Sequence, residues 1–459
     1  MSLRSRLYAL WMKKRPKSIS ATKVIAIVFA AIILLGTLLL MLPASSRSGI
    51  SCGFRPALFT ATSATCVTGL SLFDTWTQWS GFGQFVIISL IEVGGLGFMS
   101  AATLVVFFLR RRIGLKQRLV MAQALSVSDM DGIVNLQKTV LVGSFTVEAL
   151  GALILTLRFW PDHGFLTALK WGVFHSISAF CNAGFDIFGC ITPGVSLMEF
   201  KSDPIVLLTL GTLVTVGGLG FLVWQEMAEK RSFRKCSVYT KLVLLTTAAL
   251  ILTGWFLISL LEWNNPGTLG ELSLPDKLLN GLFQSITLRT AGFASFDQAL
   301  LTEGGKAVSM VLMLIGGSSG STAGGLKTVT FIVLVLFLAT RARGRETVCV
   351  FKRTIPQRQV LDAMTIAMIM LGLAVFGGIF ISASSPVGFT DALFEAVSAL
   401  ATVGLTAGVT GSLSIPAQFL IILYMYFGRV GVLTISLGFL VGNRAEERFR
   451  YAQTNLLIG

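Results

Sequence analysis

Four short segments carry the residue types and spacing that could do chemistry, and each ends in one glycine: Cys66-Val67-Thr68-Gly69, Cys181-Asn182-Ala183-Gly184, Arg289-Thr290-Ala291-Gly292 and Ala401-Thr402-Val403-Gly404. The glycines recur at intervals of roughly 110 residues, so the chain reads as a fourfold internal repeat. Backbone carbonyls turned to one side can replace the hydration shell of a cation, and the turn needs a residue free of the Cβ penalty at positive φ. One glycine per repeat meets that need. Val67, Thr68, Asn182, Ala183, Thr290, Ala291, Thr402 and Val403 offer the remaining carbonyls.

The elements that must position these segments are membrane helices. Hydrophobic residues make up 54% of the 459 and charged residues 13%, with a mean hydropathy of +0.78, which excludes an ordinary soluble domain. A span needs about 20 apolar residues. Stretches at 22–43, 81–109, 136–158, 204–227, 237–261, 304–340, 359–383 and 415–442 qualify. The first is long enough to span and reads as a membrane helix, not a cleavable leader. The net charge of +15 lies mostly in short loops, Arg4 to Lys17, Arg110 to Arg118, Lys230 to Lys241, Arg341 to Arg358 and Arg444 to Arg450, all on one side of an eight-span arrangement. The positive-inside rule makes that side, and both termini, cytoplasmic in a multi-pass protein of the cell membrane. Topology explains the charge without nucleic acid.

Each repeat contains a span, a half-length segment and a second span. The half-length segments align on Phe59, Phe174, Phe283 and Phe394; at about ten to fourteen residues they are too short to cross and must re-enter. The expected fold is therefore an all-α polytopic membrane protein with four pseudo-symmetric quarters around one central pore, at 1–118, 119–235, 236–353 and 354–459. The second spans share Val93-Gly94-Gly95-Leu96-Gly97-Phe98, repeated identically at Val216 to Phe221. In the third repeat that place becomes Gly316-Gly317-Ser318-Ser319-Gly320-Ser321-Thr322-Ala323-Gly324-Gly325, whose small residues break the helix into a loop across the path below the glycines. In the fourth it becomes Gly428-Arg429-Val430-Gly431, with an ionisable residue inside a span.

These residues resemble the Ktr, Trk and HKT superfamily of potassium transporters, most closely the Ktr membrane subunit, over essentially the whole chain. The resemblance implies potassium at the carbonyls of Gly69, Gly184, Gly292 and Gly404, with sodium as a second candidate and no cofactor in this chain. It also implies that residues 316–325, with Lys327 and Arg429, form an intramembrane gate. As partners it implies a cytoplasmic ring of nucleotide-binding regulatory subunits and a homodimer within the lipid bilayer. Serine at the first glycine is similar to sodium-permeable relatives, so Gly69 favours potassium.

Further expectations follow from single residues. Arg429 should contact carbonyls or hydroxyls of Gly316 to Thr322, the alternatives being snorkelling or a salt bridge with Glu92 or Glu226. Lys327 should cap the broken half-helix or lie near the inner mouth. Arg289 reads as a brace behind the filter, and Glu395 as a hydrogen-bonding group behind the fourth loop. Asp74, Asp186 and Asp297 recur outside the glycines, where they would concentrate cations. His163 and His175 lack partners at ligand spacing, and the six cysteines follow no framework pattern. Clustered acids or a Ser-base pair that would mark an intramembrane enzyme do not appear in the pattern. A midplane-binding carrier for another solute would need two inverted halves, whereas these repeats run parallel.

Overall fold

A computed structural model describes residues 21–97 and 133–431. The basic segments Arg4 to Lys17, Arg110 to Arg118 and Arg444 to Arg450, Phe98, the ends of the stretches 81–109 and 415–442, and the boundary between the first two quarters lie outside the described residues. The first quarter holds α1 (Ala21–Leu40), α2 (Phe54–Thr65) and α3 (Gly81–Gly95); the second holds α4 (Ile133–His163), α5 (Phe165–Phe180), α6 (Pro204–Leu219) and α7 (Phe221–Lys230). The third holds α8 (Val238–Glu262), α9 (Leu274–Thr287), α10 (Glu303–Leu314) and α11 (Thr328–Ala342); the fourth holds α12 (Gln357–Ser384), α13 (Phe389–Ala401) and α14 (Ile415–Tyr426), which runs into a π turn at Phe427–Gly431. A two-residue hairpin, Cys349–Val350 against Arg353–Thr354, lies in the basic loop before α12.

The helices divide into two kinds for a physical reason. The first helices of quarters two to four include runs long and apolar enough to cross a membrane unaided, Lys138–His163, Val238–Glu262 and Gln357–Ser384. Their outer faces show large apolar side chains, among them Leu153, Phe256 and Met368, as expected of a surface solvated by lipid. The half-length helices α2, α5, α9 and α13 are instead buried, with Phe59, Phe174, Phe283 and Phe394 at their centres. At 16 residues α5 exceeds the ten to fourteen expected for a re-entrant segment, and it still ends inside the protein.

The second helices are shorter than expected. The stretch 204–227 is no continuous span: α6 and α7 meet at an angle of 92°, hinged at Gly220 with φ +89°. In the first quarter α3 stops at Gly95, with Gly97 at φ +82°. The repeated Val-Gly-Gly-Leu-Gly signature thus marks a helix end in the first quarter and a bend in the second, so the irregularity expected only of the third quarter extends to the others, with a π turn in the fourth. Its glycines let each second helix slide beneath its own re-entrant helix: a Cβ at Gly94, Gly217 or Gly428 would collide with the carbonyl oxygen of Thr65, Phe180 or Leu400.

Side-chain caps fix where these second helices start. Ser80, Asp203, Thr302 and Ser414 each accept backbone N–H bonds from the first turn, at Gly83, at Ile205 and Val206, at Gly305 and at Ala417. The ring then closes by packing: α3 lies on α5, α6 on α9, α10 on α13, and α14 on α2. Every second helix supports the next quarter's re-entrant helix, and the fourth returns to the first.

Gly220→Ala should lower stability by about 2 kcal/mol, because the positive φ is strained for alanine and its Cβ would strike Ser318 Oγ. Gly372→Ala, inside α12 with open space around it, should be neutral or stabilising. Thermal unfolding of the detergent-solubilised protein measures both.

Candidate ion pathway

After each re-entrant helix the chain changes hand twice. Val67, Asn182, Thr290 and Thr402 adopt φ between +53° and +68°, and the glycine two residues later adopts +97°, +70°, +82° and +93°. A left-handed β-branched residue costs about 1–3 kcal/mol, so something must over-determine the shape. Two sets of hydrogen bonds do. The residue before each glycine donates its N–H to the re-entrant helix: Thr68 to Ser63 O at 2.8 Å, Ala183 to Ser178 O at 2.7 Å, Ala291 to Thr287 O at 2.9 Å, and Val403 to Ser398 O at 2.8 Å.

The hydroxyls of the same four residues make the second set. Ser63 Oγ and Ser398 Oγ accept from the N–H of Gly69 and Gly404, both at 3.1 Å. Ser178 Oγ and Thr287 Oγ1 donate to Phe185 O and Phe293 O, both at 2.7 Å. Backbone donors are thereby drawn away from the centre, and carbonyls are left to face it. The hydroxyls of Thr68, Thr290 and Thr402 are buried with no protein partner.

The four glycines meet in a closed ring. A Cβ on Gly69 would lie 2.5 Å from Ala183 O, one on Gly184 2.6 Å from Ala291 O, and one on Gly292 2.5 Å from Val403 O; one on Gly404 would strike Thr68 O. Each glycine abuts the carbonyl that precedes the next. The sequence-predicted residues of all four segments are thus brought together about one centre, and any side chain at the glycine positions would fill it.

Above the ring opens a cavity of about 390 Å³, with all four glycines and the carboxylates Asp74, Asp186 and Asp297 in its walls. These acids also hold loops. Asp74 accepts from Thr77 N at 2.8 Å and Gly194 N at 3.1 Å, Asp186 from Phe188 N at 3.2 Å, and Asp297 from Ala299 N at 2.9 Å. Burial, with the charge of Asp74 added, pushes the Asp186 carboxyl up to about 7.

Braces stand behind the loops. Glu395 accepts from Ala407 N at 3.2 Å and Thr410 Oγ1 at 2.9 Å, and also from Thr406 Oγ1, as the sequence led us to expect. His175 holds the equivalent place in the second quarter: its Nδ1 meets Trp171 O at 2.7 Å and its Nε2 accepts from Ile187 N at 3.2 Å. Gln284 pairs with Gln298 in the third. These positions directly follow the aligned phenylalanines, which was the signal available to find them.

Below the ring, residues 316–325 cross under the centre. Their backbone is satisfied by the break in the second quarter: Ser318 N donates to Gly218 O at 3.0 Å, Thr322 N to Gly217 O at 3.3 Å, and Gly320 O accepts from Phe221 N at 3.0 Å. Gly324 packs against Thr402, and Thr322 Oγ1 donates to Phe180 O at 3.1 Å. Arg429 donates to Thr322 O, to Gly94 O at 2.6 Å and to Gly95 O at 3.0 Å. The contact with the loop was expected; the anchorage on Gly94 and Gly95 was not, and among the described residues neither Glu92 nor Glu226 forms a salt bridge with Arg429. Lys327 Nζ donates to Ala323 O at 2.8 Å, tying the loop to itself. Arg289 holds Gly316 O at 3.1 Å and Thr328 Oγ1 at 3.3 Å, so it braces the break in the third quarter and not the filter backbone. All the described cysteines are free.

Residues 6–450 match the family model TrkH, described as a cation transport protein. Among curated relatives, the Ktr system potassium uptake protein B of Bacillus subtilis is 39% identical over 95% of this chain and 96% of its own. The potassium/sodium uptake protein NtpJ of Enterococcus hirae is 38% identical over 98% and 99%. The crystal structure of the potassium transporter TrkH from Vibrio parahaemolyticus superposes with a TM-score of 0.72 over 94% of this chain and 86% of that one, at 18% identity; it shares the fold.

Because Asp186 titrates near 7, it is charged above that pH and neutral below it. Acidifying the outer solution from about pH 8 to pH 6 should weaken apparent cation affinity about two-fold, the effect of one charge at roughly 10 Å in water. Asp186→Asn should remove that dependence, as read from the KM of tracer uptake at each pH.

Proposed function

The chain belongs to the Ktr/TrkH family of cation transport proteins, a family of membrane transporters and not of enzymes, and from that premise we propose that it conducts potassium through the ring of four glycines. One observation carries this reading: each glycine packs against the carbonyl preceding the next, all the way round. Carbonyls contributed by four quarters would replace the water shed by an ion. The C-terminal ends of α2, α5, α9 and α13 converge beneath it, and the partial negative charge of helix C-termini favours a cation there. The outer carboxylates would raise the local cation concentration.

Flux on this reading is limited by residues 316–325. The guanidinium of Arg429 bolts that loop to the first quarter and places a positive charge beside the path; opening must break these bonds. We assign the opening to a cytoplasmic nucleotide-binding partner acting on a homodimer, supported by relatives named as parts of a Ktr system. Sodium is the second cargo to test, since the Enterococcus relative is named for both ions. A solute carrier built of inverted halves fits poorly with second helices that each support the following quarter in one rotational sense.

Expression in a potassium-uptake-deficient cell should restore growth at low potassium, more strongly with a regulatory subunit; no rescue in either case, with the protein present in the membrane, would exclude potassium uptake. Gly69→Ser, strained at φ +97° and in collision with Ala183 O, should lower the preference for potassium over sodium about ten-fold, equivalent to about 1.4 kcal/mol, in parallel tracer fluxes. Arg429→Ala should raise uptake in proteoliposomes lacking any partner protein.

A further inference from the structure

One cluster among the described residues plays no part in the pathway above. Glu92 on α3, Glu148 on α4 and Cys181 at the end of α5 place a ligand atom each within 4.8 Å of one another. Cys181 is fully buried and Glu148 is only 4% exposed. The thiol donates to Glu92 Oε2 at 3.5 Å, and the two carboxyl groups approach within 4.8 Å of each other. Oε1 of each finds no donor in the surrounding protein.

Among the described residues no cation neutralises the pair. Arg429, the nearby cation, commits its donors to Gly94 O, Gly95 O and Thr322 O, and Lys327 binds Ala323 O. On α7, which packs against α4, Glu226 is engaged by Lys230, Ser237 and Thr240. His175, on the same helix as Cys181, is bound to Trp171 and Ile187. Among the described residues the Cys66 thiol also lies near Arg429. Two carboxyl groups this close, one buried and the other half-buried, with no counter-ion among the described residues, do not both stay ionised.

We propose that Glu92 and Glu148 form a proton-binding site, a carboxyl-carboxylate pair that holds one proton and ties α3 to α4 beside the second filter segment. Gly94 and Gly95, whose carbonyls seat Arg429, lie two and three residues after Glu92. Gly95 also lies against Cys181, where a Cβ would come 2.5 Å from Sγ, and Asn182 comes next. Loss of the proton sets two negative charges against each other, separates α3 from α4 and loosens the seat of Arg429. The site itself stands whichever ion crosses; its effect on flux rests on the potassium reading, so two readouts are needed.

Infrared difference spectroscopy of the full-length protein in lipid, between neutral and strongly alkaline pH, reads the proton directly. In an Asp186→Asn background, which removes the contribution of that carboxyl, a component of the protonated-carboxyl carbonyl band should be present and be lost in both Glu92→Gln and Glu148→Gln. If either glutamine variant fails to fold, the other decides. A band unchanged by the folded variant overturns the proposal. Stoichiometric zinc binding by calorimetry that is lost in Cys181→Ser also overturns it, in favour of a metal. For the coupling, partner-free potassium flux in an Asp186→Asn background should rise several-fold with alkalinity, and Glu92→Gln should flatten that rise; a pH-independent flux before the glutamine is introduced excludes the coupling.

Discussion

Backbone that leaves a helix within a bilayer has no water to turn to, so every N–H and C=O must find protein or face an aqueous path. The distinctive features of this chain are responses to that constraint. The loops after α2, α5, α9 and α13 leave the helix where four quarters meet, and their N–H groups are drawn back onto the helices they have just left. What meets at the four glycines is the set of carbonyls of Thr68, Ala183, Ala291 and Val403. The cost of left-handed Val67, Asn182, Thr290 and Thr402 is borne by the hydrogen bonds to Ser63, Ser178, Thr287 and Ser398. Rigidity at the filter therefore comes from the re-entrant helices behind it.

The same constraint shapes the layer beneath. Every second helix must pass under the end of its own re-entrant helix, which only glycine allows at Gly94, Gly217 and Gly428, and each is interrupted there. In the second and third quarters the two breaks satisfy each other: the carbonyls of Gly217 and Gly218 receive the loop's N–H groups, and the loop returns Gly320 O to Phe221. A loop held largely by another quarter's broken backbone, with Ser318 and Thr322 hydroxyls adding to the hold, can exchange those bonds for water. On the proposed reading, that is a physical basis for a gate which is stable when closed and still releasable.

The fourfold repeat, the clustering of the four glycines and the loop of small residues were legible in the sequence because they are local patterns: a glycine after a Ser/Thr-rich half-length segment, and ten small residues inside an apolar run. Glu395 was legible as well, since it follows an aligned phenylalanine. The break at Gly220 was not, because Val-Gly-Gly-Leu-Gly in an apolar stretch satisfies the hydropathy of a span and only the bend exposes it. Left-handed Val67 and Thr402 were hidden because their residue types argue against that conformation, and tertiary hydrogen bonds override the preference. The seat of Arg429 on Gly94 and Gly95, and the meeting of Glu92 with Glu148, join residues far apart in the chain through the closure of the ring, which no local window contains.

The central claim is that one ion, stripped of water, rests at the centre of the four glycines. Crystals grown in rubidium or thallium salts test it by anomalous scattering. The account predicts a peak on the axis, equidistant from the carbonyls that precede Gly69, Gly184, Gly292 and Gly404; an ion found only off that axis, among side chains between helices, would contradict it.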